Sequence, residues 1–346
     1  MHISPFIARL PKAELHLHLE GTVTPQTLSE LSHRHTTPLP IENNRYAADP
    51  NSARAFSVAE VEELYRYADF QGFLMAFKAV TERLRTAEDY ELVTYRMMEQ
   101  LHAQNVLHAE VFVSVGVVLW RGQDFAPLFA GMERGRARGE RDFGVSILWI
   151  FDAVRHFGAD EAAKVVELAI RFRDQNVVGI GIGGDEARAE AKLFDAVYRH
   201  ARQNGLHLTA HAGETVGPES IFAALNIGAE RIGHGLHAEE DRELMEILAE
   251  RQVPVEVCIS SNVRTGCCRT IHDHPVRRMF DHGLMLTLNS DDPAMFQTTL
   301  NQEYQIAQDV FHFTDDHLRE LARNSFEASF LPAEKKLQFL SVIDSI

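Results

Sequence analysis

Short runs of apolar and β-branched residues alternate with amphipathic helical patterns along most of the chain. Several runs are apolar at successive positions, which is typical of strands in a parallel sheet covered by helices. Eight strands separated by helices is the count of a (β/α)8 TIM barrel, with an open doubly wound sheet as the alternative. The predicted strands are residues 14–18, 108–114, 144–151, 177–182, 206–211, 231–235, 253–260 and 284–290.

The segments between the strands repeat apolar residues with the 3.6-residue period of amphipathic helices. Residues 159–175 have this spacing at Ala162, Val165, Val166, Ala169 and Ile170. Residues 190–205 have it at Leu193, Phe194, Val197, Tyr198 and Ala201. Gly205 stands where a helix C-terminus is expected, and Pro218 stands where the next helix begins.

One region departs from this alternation, because about 90 residues separate the first two predicted strands. A polar stretch at 35–57 is followed by helical patterns at 58–80 and 86–105. An insertion after a barrel strand lies at the mouth where active sites form, so it can cover the site. We therefore predict one domain spanning 1–346, with a helical insertion that is either a lid at about 35–100 or an addition to the scaffold.

The composition of the chain indicates which kinds of partner and which cellular compartment to expect. The chain has 34 Lys plus Arg against 50 Asp plus Glu, a formal net charge of −16, which disfavours nucleic acid and anionic membranes as partners. Three cysteines form no disulfide framework and suit a reducing compartment. No signal-peptide core is present near the N-terminus, and the longest apolar run, 111–120, is too short to span a bilayer. These features predict a cytoplasmic protein that acts on a small molecule.

The first predicted strand carries two histidines, His16 and His18, two residues apart. Successive side chains of a strand point to opposite faces, so these imidazoles share one face while Leu15, Leu17 and Leu19 share the other. Two imidazoles on one buried face are either a pair of metal ligands or a costly way to fill a core.

Polar side chains that can take part in catalysis follow five of the predicted strands. In a barrel the carboxyl ends of all strands meet at one face, where active sites form. Each residue alone has an ordinary explanation, such as a hydrogen-bonded histidine or an aspartate that caps a turn. Their shared position favours an active site built from His16, His18, Gly184, His211, Glu214, His234, Asp291 and Asp292.

The nitrogen donors of His16, His18 and His211 suit Zn²⁺, and Asp291 can add an oxygen ligand. Bound zinc lowers the pKa of water from about 16 to roughly 7, so it provides hydroxide at neutral pH. Glu214 can place a carboxyl group beside the metal as a general acid/base, and His234 can orient the hydroxide.

The motifs "PKAELHLHLEGT", "GDE", "HAGE", "RIGHG", "SSN" and "SDDP" occur in this order. From residue 10 to about residue 330 the chain resembles the adenosine deaminase family of the amidohydrolase superfamily. The resemblance implies an enzyme of purine metabolism, a zinc barrel that hydrolyses the C6 amino group of a 6-aminopurine and releases ammonia. The fourth predicted strand contains no lysine that could bridge two metals, so we predict one zinc per chain.

The resemblance also implies roles for individual residues. The zinc ligands would be His16, His18, His211 and Asp291. Glu214 would donate a proton to purine N1, and His234 together with Asp291 would position the hydroxide. Asp292 would bond purine N7, the Gly184 N–H would reach N3, and His18 would also contact the substrate. The chain lacks the Pro-Cys-x-x-Cys pattern of the zinc deaminases that act on nucleic acids.

Two features disagree about the substrate. Glu20 stands where adenosine-specific members have an aspartate that meets the 5′-hydroxyl, and relatives that act on free adenine often have glutamate there. Those adenine-specific relatives usually lack the "GDE" that this chain keeps at 184–186. Residues 114–127 resemble a bacterial branch that deaminates 6-aminodeoxyfutalosine, a menaquinone precursor with an aryl ketone on its 5′ carbon. The candidates are therefore this nucleoside or adenosine, then free adenine, with another amidohydrolase reaction or a non-catalytic purine-binding protein as remote alternatives.

Overall fold

The computed structural model describes residues 2–36, 54–67 and 70–344. Eight parallel strands form one sheet in which each strand pairs with its neighbour in sequence. The strands are β1 Lys12–His18, β2 Val106–Val113, β3 Ser146–Val154, β4 Val177–Gly183, β5 His207–Ala212, β6 Arg231–His234, β7 Val255–Val257 and β8 Leu286–Leu288. The last two are shorter than predicted, because each begins two residues later and ends two or three residues earlier than predicted.

The first and last strands close the sheet. An isolated parallel bridge joins Leu17 to Asp291. The His18 N–H donates to the Asp291 carbonyl at 2.9 Å, and the Asp291 N–H donates to the His16 carbonyl at 3.1 Å. The predicted (β/α)8 barrel is therefore confirmed, and the open doubly wound sheet is wrong.

Helices surround the barrel, and several of them begin at a side-chain cap. For example, Thr86 and Asp89 form a capping box at the start of the fifth helix. The helices of the described residues are α1 Pro5–Arg9, α2 Pro25–Arg34, α3 Val58–Leu64, α4 Phe70–Thr81, α5 Ala87–His102, α6 Val115–Trp120, α7 Phe125–Phe143, α8 Ala159–Phe172, α9 Asp195–Gln203, α10 Pro218–Asn226, α11 Arg242–Arg251, α12 Ile259–Arg264, α13 Val276–Asp281, α14 Pro293–Phe296, α15 Leu300–Phe311, α16 Asp315–Glu327 and α17 Ala333–Ile343. None of these is both long and apolar enough to cross a bilayer.

One detail of the predicted helix at 190–205 is wrong. Residues Ala191–Phe194 form a short 3-10 turn, and the α-helix begins only at Asp195. The change in winding takes Leu193 off the apolar face, and its side chain is 57% exposed. Gly205 does adopt the left-handed conformation expected after a helix, with φ +79°.

The two faces of β1 carry different chemistry, as the alternation predicted. Leu15, Leu17 and Leu19 are buried in the apolar layer between the barrel and its helices. Burying each such side chain contributes about 1.5–3 kcal/mol to the free energy of unfolding. His16 and His18 occupy the opposite face, inside the barrel, where their rings contact Phe112 on β2.

The insertion between β1 and β2 contains helices α2 to α5. Much of its polar stretch, residues 37–53, lies outside the described residues, as do 68 and 69. Within the described part, α4 places Phe73, Leu74 and Phe77 beside the cavity at the barrel mouth. A lid role for this insertion stays a prediction.

Candidate active site

A cavity of about 200 Å³ opens at the carboxyl ends of the strands. His16 is fully buried next to it, with its ring 4.5 Å from that of His211, measured between centroids. The strand-end residues predicted for the site therefore come together, although they are far apart in sequence. The cavity wall includes His18, Gly184, His211, Glu214, His234, Asp291 and Asp292.

The histidine and aspartate side chains form a tight cluster of donor atoms. His18 Nε2 lies 3.3 Å from His211 Nε2 and 3.4 Å from Asp291 Oδ1. His16 Nε2 lies 3.7 Å from the same Asp291 oxygen and is buried without a hydrogen-bond partner. Nitrogen lone pairs and a carboxylate oxygen close together suit a divalent transition metal such as zinc. These residues therefore fit the predicted metal ion.

His16 is held by a second carboxylate from β7. Its Nδ1 lies 2.8 Å from Glu256 Oε2, and both side chains are fully buried. Because a carboxylate accepts, the proton is assigned to Nδ1, which leaves the Nε2 lone pair free to face the cluster. The other Glu256 oxygen lies 2.6 Å from Arg231 Nε, and Arg231 also pairs with Glu110.

Asp291 reaches the cluster through an unusual backbone conformation. Its φ is +62°, in the left-handed region that non-glycine residues seldom adopt. The Ser261 hydroxyl donates to Asp291 Oδ2 at 2.6 Å, so Oδ1 remains directed at the histidines. Strained backbone of this kind concentrates at functional sites, where the surrounding structure maintains it.

A chain of hydrogen bonds fixes the tautomer of His234. The Val276 N–H donates to His274 Nδ1 at 3.2 Å, so the His274 proton is on Nε2, which lies 3.1 Å from Asn262 Oδ1. Burial lowers the pKa of His274 to about 3, so this imidazole is neutral. The Asn262 amide then donates to His234 Nδ1 at 3.1 Å. His234 is left with its proton on Nε2, 3.6 Å from Glu214 Oε2.

Two carboxyl groups on the cavity wall are easier to protonate than usual. Burial raises the pKa of Glu214 above its ordinary value. Burial and the neighbouring Asp291 raise the pKa of Asp292 well above its ordinary value. Asp292 Oδ1 is buried without a partner. Protonated carboxyls can donate hydrogen bonds to ring nitrogens of a heterocycle, which accept them.

Glu20 is placed differently from the other predicted residues. Its side chain is 1% exposed, and Oε1 accepts the Ser114 N–H at 3.0 Å. Ser114 lies on the cavity wall, and Glu20 is not among the lining residues. Direct contact between Glu20 and a substrate stays a prediction, since the described geometry gives Glu20 a role behind the wall.

Sequence reasoning did not identify several supporting polar residues. Glu256 and Asp152 are single carboxylates within otherwise apolar strands, and that departure from the apolar pattern was the available signal. Asp152 is 5% exposed, lines the cavity and has an unpartnered Oδ1. Glu186 belongs to the "GDE" motif and Asn262 to the "SSN" motif. These motifs marked the two positions but did not indicate what the residues do.

The outer part of the cavity is apolar and aromatic. Phe73 of the insertion stacks on Phe296, with ring centroids 5.1 Å apart and planes 24° from parallel. Leu74 is 40% exposed at the rim. The apolar side chains that line this part are Phe73, Leu74, Phe77, Val117, Phe157 and Phe296.

Comparison with known proteins agrees with this geometry. The family model described as adenosine deaminase matches residues 11–346. The chain is 37% identical to aminodeoxyfutalosine deaminase of Streptomyces avermitilis, over 98% of this chain and 92% of that protein. The crystal structure of an adenine deaminase from Arthrobacter aurescens matches with a TM-score of 0.88 and 32% identity, over 97% of this chain and 98% of that one. A Burkholderia ambifaria amidohydrolase crystallised with bound zinc matches with a TM-score of 0.81 and 25% identity, over 100% and 96%.

Proposed function

The chain belongs to the adenosine deaminase family, and we propose that it removes the 6-amino group of a purine by hydrolysis, releasing ammonia. The observation that carries this proposal is the convergence of three histidines, Asp291 and two readily protonated carboxyl groups on one cavity. A metal-binding cluster beside an acid is what addition of water to an electron-poor ring carbon requires.

We propose one zinc ion per chain, held by the three histidines His16, His18 and His211 with Asp291. When bound, zinc would supply hydroxide at neutral pH by lowering the pKa of its water to roughly 7. On β4, Gly183 lies beside the His211 ring and Gly181 beside Phe112, and the strand otherwise contains only valine, isoleucine and glycine. Strand β4 therefore offers no side chain to join two metals.

Glu256→Gln is expected to weaken zinc binding by about 10- to 100-fold, because such partners of metal-ligating histidines contribute this much. The amide is uncharged, so it is a weaker acceptor for the His16 Nδ1–H than the carboxylate. Zinc affinity measured by competition with a chelator checks this prediction. Glu250→Gln, an exposed change at the end of α11, is the matched control and should leave zinc affinity unaltered. Equal affinity of Glu256→Gln and the parent enzyme would contradict the role given to Glu256.

The chain's own residues would move protons where charge develops. Addition of water at purine C6 makes that carbon tetrahedral and places an electron pair on N1. Protonated Glu214 can donate to N1, so this interaction forms mainly in the transition state. Protonated Asp292 can donate to N7, and the Nε2–H of His234 is oriented to hold the attacking oxygen.

The proposed substrate is a 6-aminopurine nucleoside, 6-aminodeoxyfutalosine or adenosine, with free adenine as the alternative. The cavity at the carboxyl ends of the strands is lined by both polar and apolar side chains. Its outer aromatic wall offers apolar contact that a free base would not reach. This favours a nucleoside with an aryl extension, the substrate named for the Streptomyces avermitilis relative. The adenine alternative rests on Glu20 and on the adenine deaminase from Arthrobacter aurescens.

A panel assay tests the proposed function and orders the candidate substrates. Loss of 6-aminopurine absorbance would be followed with adenine, adenosine, 2′-deoxyadenosine, 5′-methylthioadenosine and 6-aminodeoxyfutalosine. The highest kcat/KM is expected for the 5′-aryl nucleoside. A large preference for free adenine would overturn the nucleoside proposal, and no turnover of any compound by the zinc-loaded enzyme would overturn the deaminase proposal.

Leu74→Ala is expected to raise KM for 6-aminodeoxyfutalosine by about 3- to 10-fold, because it removes apolar area from the cavity rim. Adenine should be unaffected, because a free base ends before the rim. The neighbouring Met75 is also exposed, at 38%, but does not line the cavity, so Met75→Ala is the matched control. A similar KM change for adenine and the nucleoside would contradict the assignment of the aromatic wall.

A further inference from the structure

Glu186 follows β4 and is 3% exposed, although it is a charged residue in a loop. Its carboxylate accepts several hydrogen bonds from the segment that contains Glu214. Oε1 accepts the Gly213 N–H at 2.9 Å and the Ser220 hydroxyl at 2.6 Å. Oε2 accepts the backbone N–H groups of Glu214 at 2.9 Å, Thr215 at 2.8 Å and Val216 at 3.3 Å, and the Thr215 hydroxyl at 3.3 Å.

These bonds satisfy a stretch of backbone that has no regular secondary structure. The loop runs from the end of β5 at Ala212 to the start of α10 at Pro218. Buried N–H groups need acceptors, and a carboxylate is a strong acceptor for several converging donors. Gly213 has φ +65°, which helps to turn successive N–H groups toward one point. The position of the Glu214 main chain is therefore set by a side chain from the loop that follows the neighbouring strand β4.

The side chain of Glu214 has few other constraints in the described residues. One carboxyl oxygen lies 3.6 Å from His234 Nε2, which is longer than an ordinary hydrogen bond, and Oε1 accepts a weak hydrogen bond from Cys267 Sγ at 3.9 Å. Most of the precision with which the carboxyl is directed into the cavity must then come from its backbone.

We propose that Glu186 is a positioning residue that acts through Glu214, holding the proton donor in place through the loop backbone. This rests on the acid role given to Glu214 in the proposed function. It assigns to the "GDE" motif a task beyond the substrate contact expected of Gly184. Glu186 itself does not line the cavity, so it would act without touching the substrate.

Glu186→Gln tests the proposal, because an amide has one acceptor oxygen and turns its NH2 group toward backbone donors. We expect kcat to fall by about 100-fold, as a small misplacement of a catalytic group can cost. KM should change by less than about 3-fold, since the substitution does not alter contacts that bind the substrate and the transition state equally well. The zinc content should stay constant. Ser220→Ala removes a single donor and should lower kcat in the same direction by a smaller factor. Glu190→Gln is the matched control, because this loop carboxylate is 64% exposed.

A double-mutant cycle separates positioning from general damage to the fold. If Glu186 acts through Glu214, Glu186→Gln should reduce the residual rate of the Glu214→Gln enzyme by less than about 3-fold. A full 100-fold loss in both backgrounds would overturn the proposal, as would loss of zinc in step with activity. If Glu186→Gln does not fold, the same cycle with Ser220→Ala gives the decision. Failure of the proposed function would look different, because the parent enzyme itself would then deaminate no 6-aminopurine.

Discussion

Glu214→Gln is expected to lower kcat for 6-aminopurine deamination by about 100- to 10,000-fold, the range that general acid catalysis contributes. The amide keeps the size of the side chain and its place in the cavity but cannot give a proton to N1. KM should change little, because the lost interaction forms mainly in the transition state. Steady-state kinetics on the best substrate of the panel measure both quantities.

The pH profile gives this prediction a second signature. Only the protonated carboxyl can donate, so the parent rate should fall as pH rises through the Glu214 pKa, which burial places above its ordinary value. Glu214→Gln has no such group to titrate, so this loss of rate at higher pH should be absent from its profile.

Zinc content distinguishes loss of the acid from loss of the metal. Glu214→Gln should retain about one zinc per chain, because Glu214 is not among the proposed ligands. Glu219→Gln provides the matched control, since Glu219 is exposed on α10 only five residues away. Near-normal turnover by Glu214→Gln would remove the proton role from Glu214 and leave the acid unassigned.

The sequence predicted those parts of the site that depend on periodicity and topology. A period of two placed His16 and His18 on one face of β1. The rule that parallel strands of a barrel share one functional end then grouped them with His211, His234 and Asp291. Both inferences need only the local pattern and the order of the strands, so they can be made without knowing any side-chain contact.

Contacts across the barrel could not be predicted in this way. Glu256 meets His16 from 240 residues away, and His274 sets the tautomer of His234 through Asn262. Periodicity identifies which face a residue occupies, but it does not identify the residue on another strand that faces it. Leu193 shows a related limit, because one 3-10 turn shifts a residue off the face that an ideal helix would give it.

Glu186 lies between these two cases. The "GDE" motif marked its position but gave it no role. Its burial follows from the loop after β5, whose N–H groups converge on one point and stabilise a buried carboxylate. A motif thus located the residue, and only the fold showed which groups it binds.

His211→Ala is expected to abolish zinc binding and to lower the deamination rate by about 1,000-fold or more, since a catalytic metal supplies several kcal/mol of transition-state stabilisation. His211 is a suitable ligand to remove because it faces both His18 and the His16 ring. The purified His211→Ala chain should contain almost no zinc, against about one zinc per chain in the parent, as measured by elemental analysis. Exhaustive chelation of the parent enzyme should cause the same loss of activity, and added zinc should reverse it.

The thermal midpoint provides a readout that does not depend on activity. A ligand that binds only the folded state stabilises it in proportion to the logarithm of its concentration over Kd. Chelation should therefore lower the thermal midpoint of the parent enzyme and have no effect on His211→Ala. His200→Ala, an exposed histidine on α9, is the control and should behave as the parent does. Parent enzyme that remains fully active after exhaustive chelation would contradict the metal mechanism, because the cluster of His16, His18 and Asp291 would then have to act as acids and bases alone.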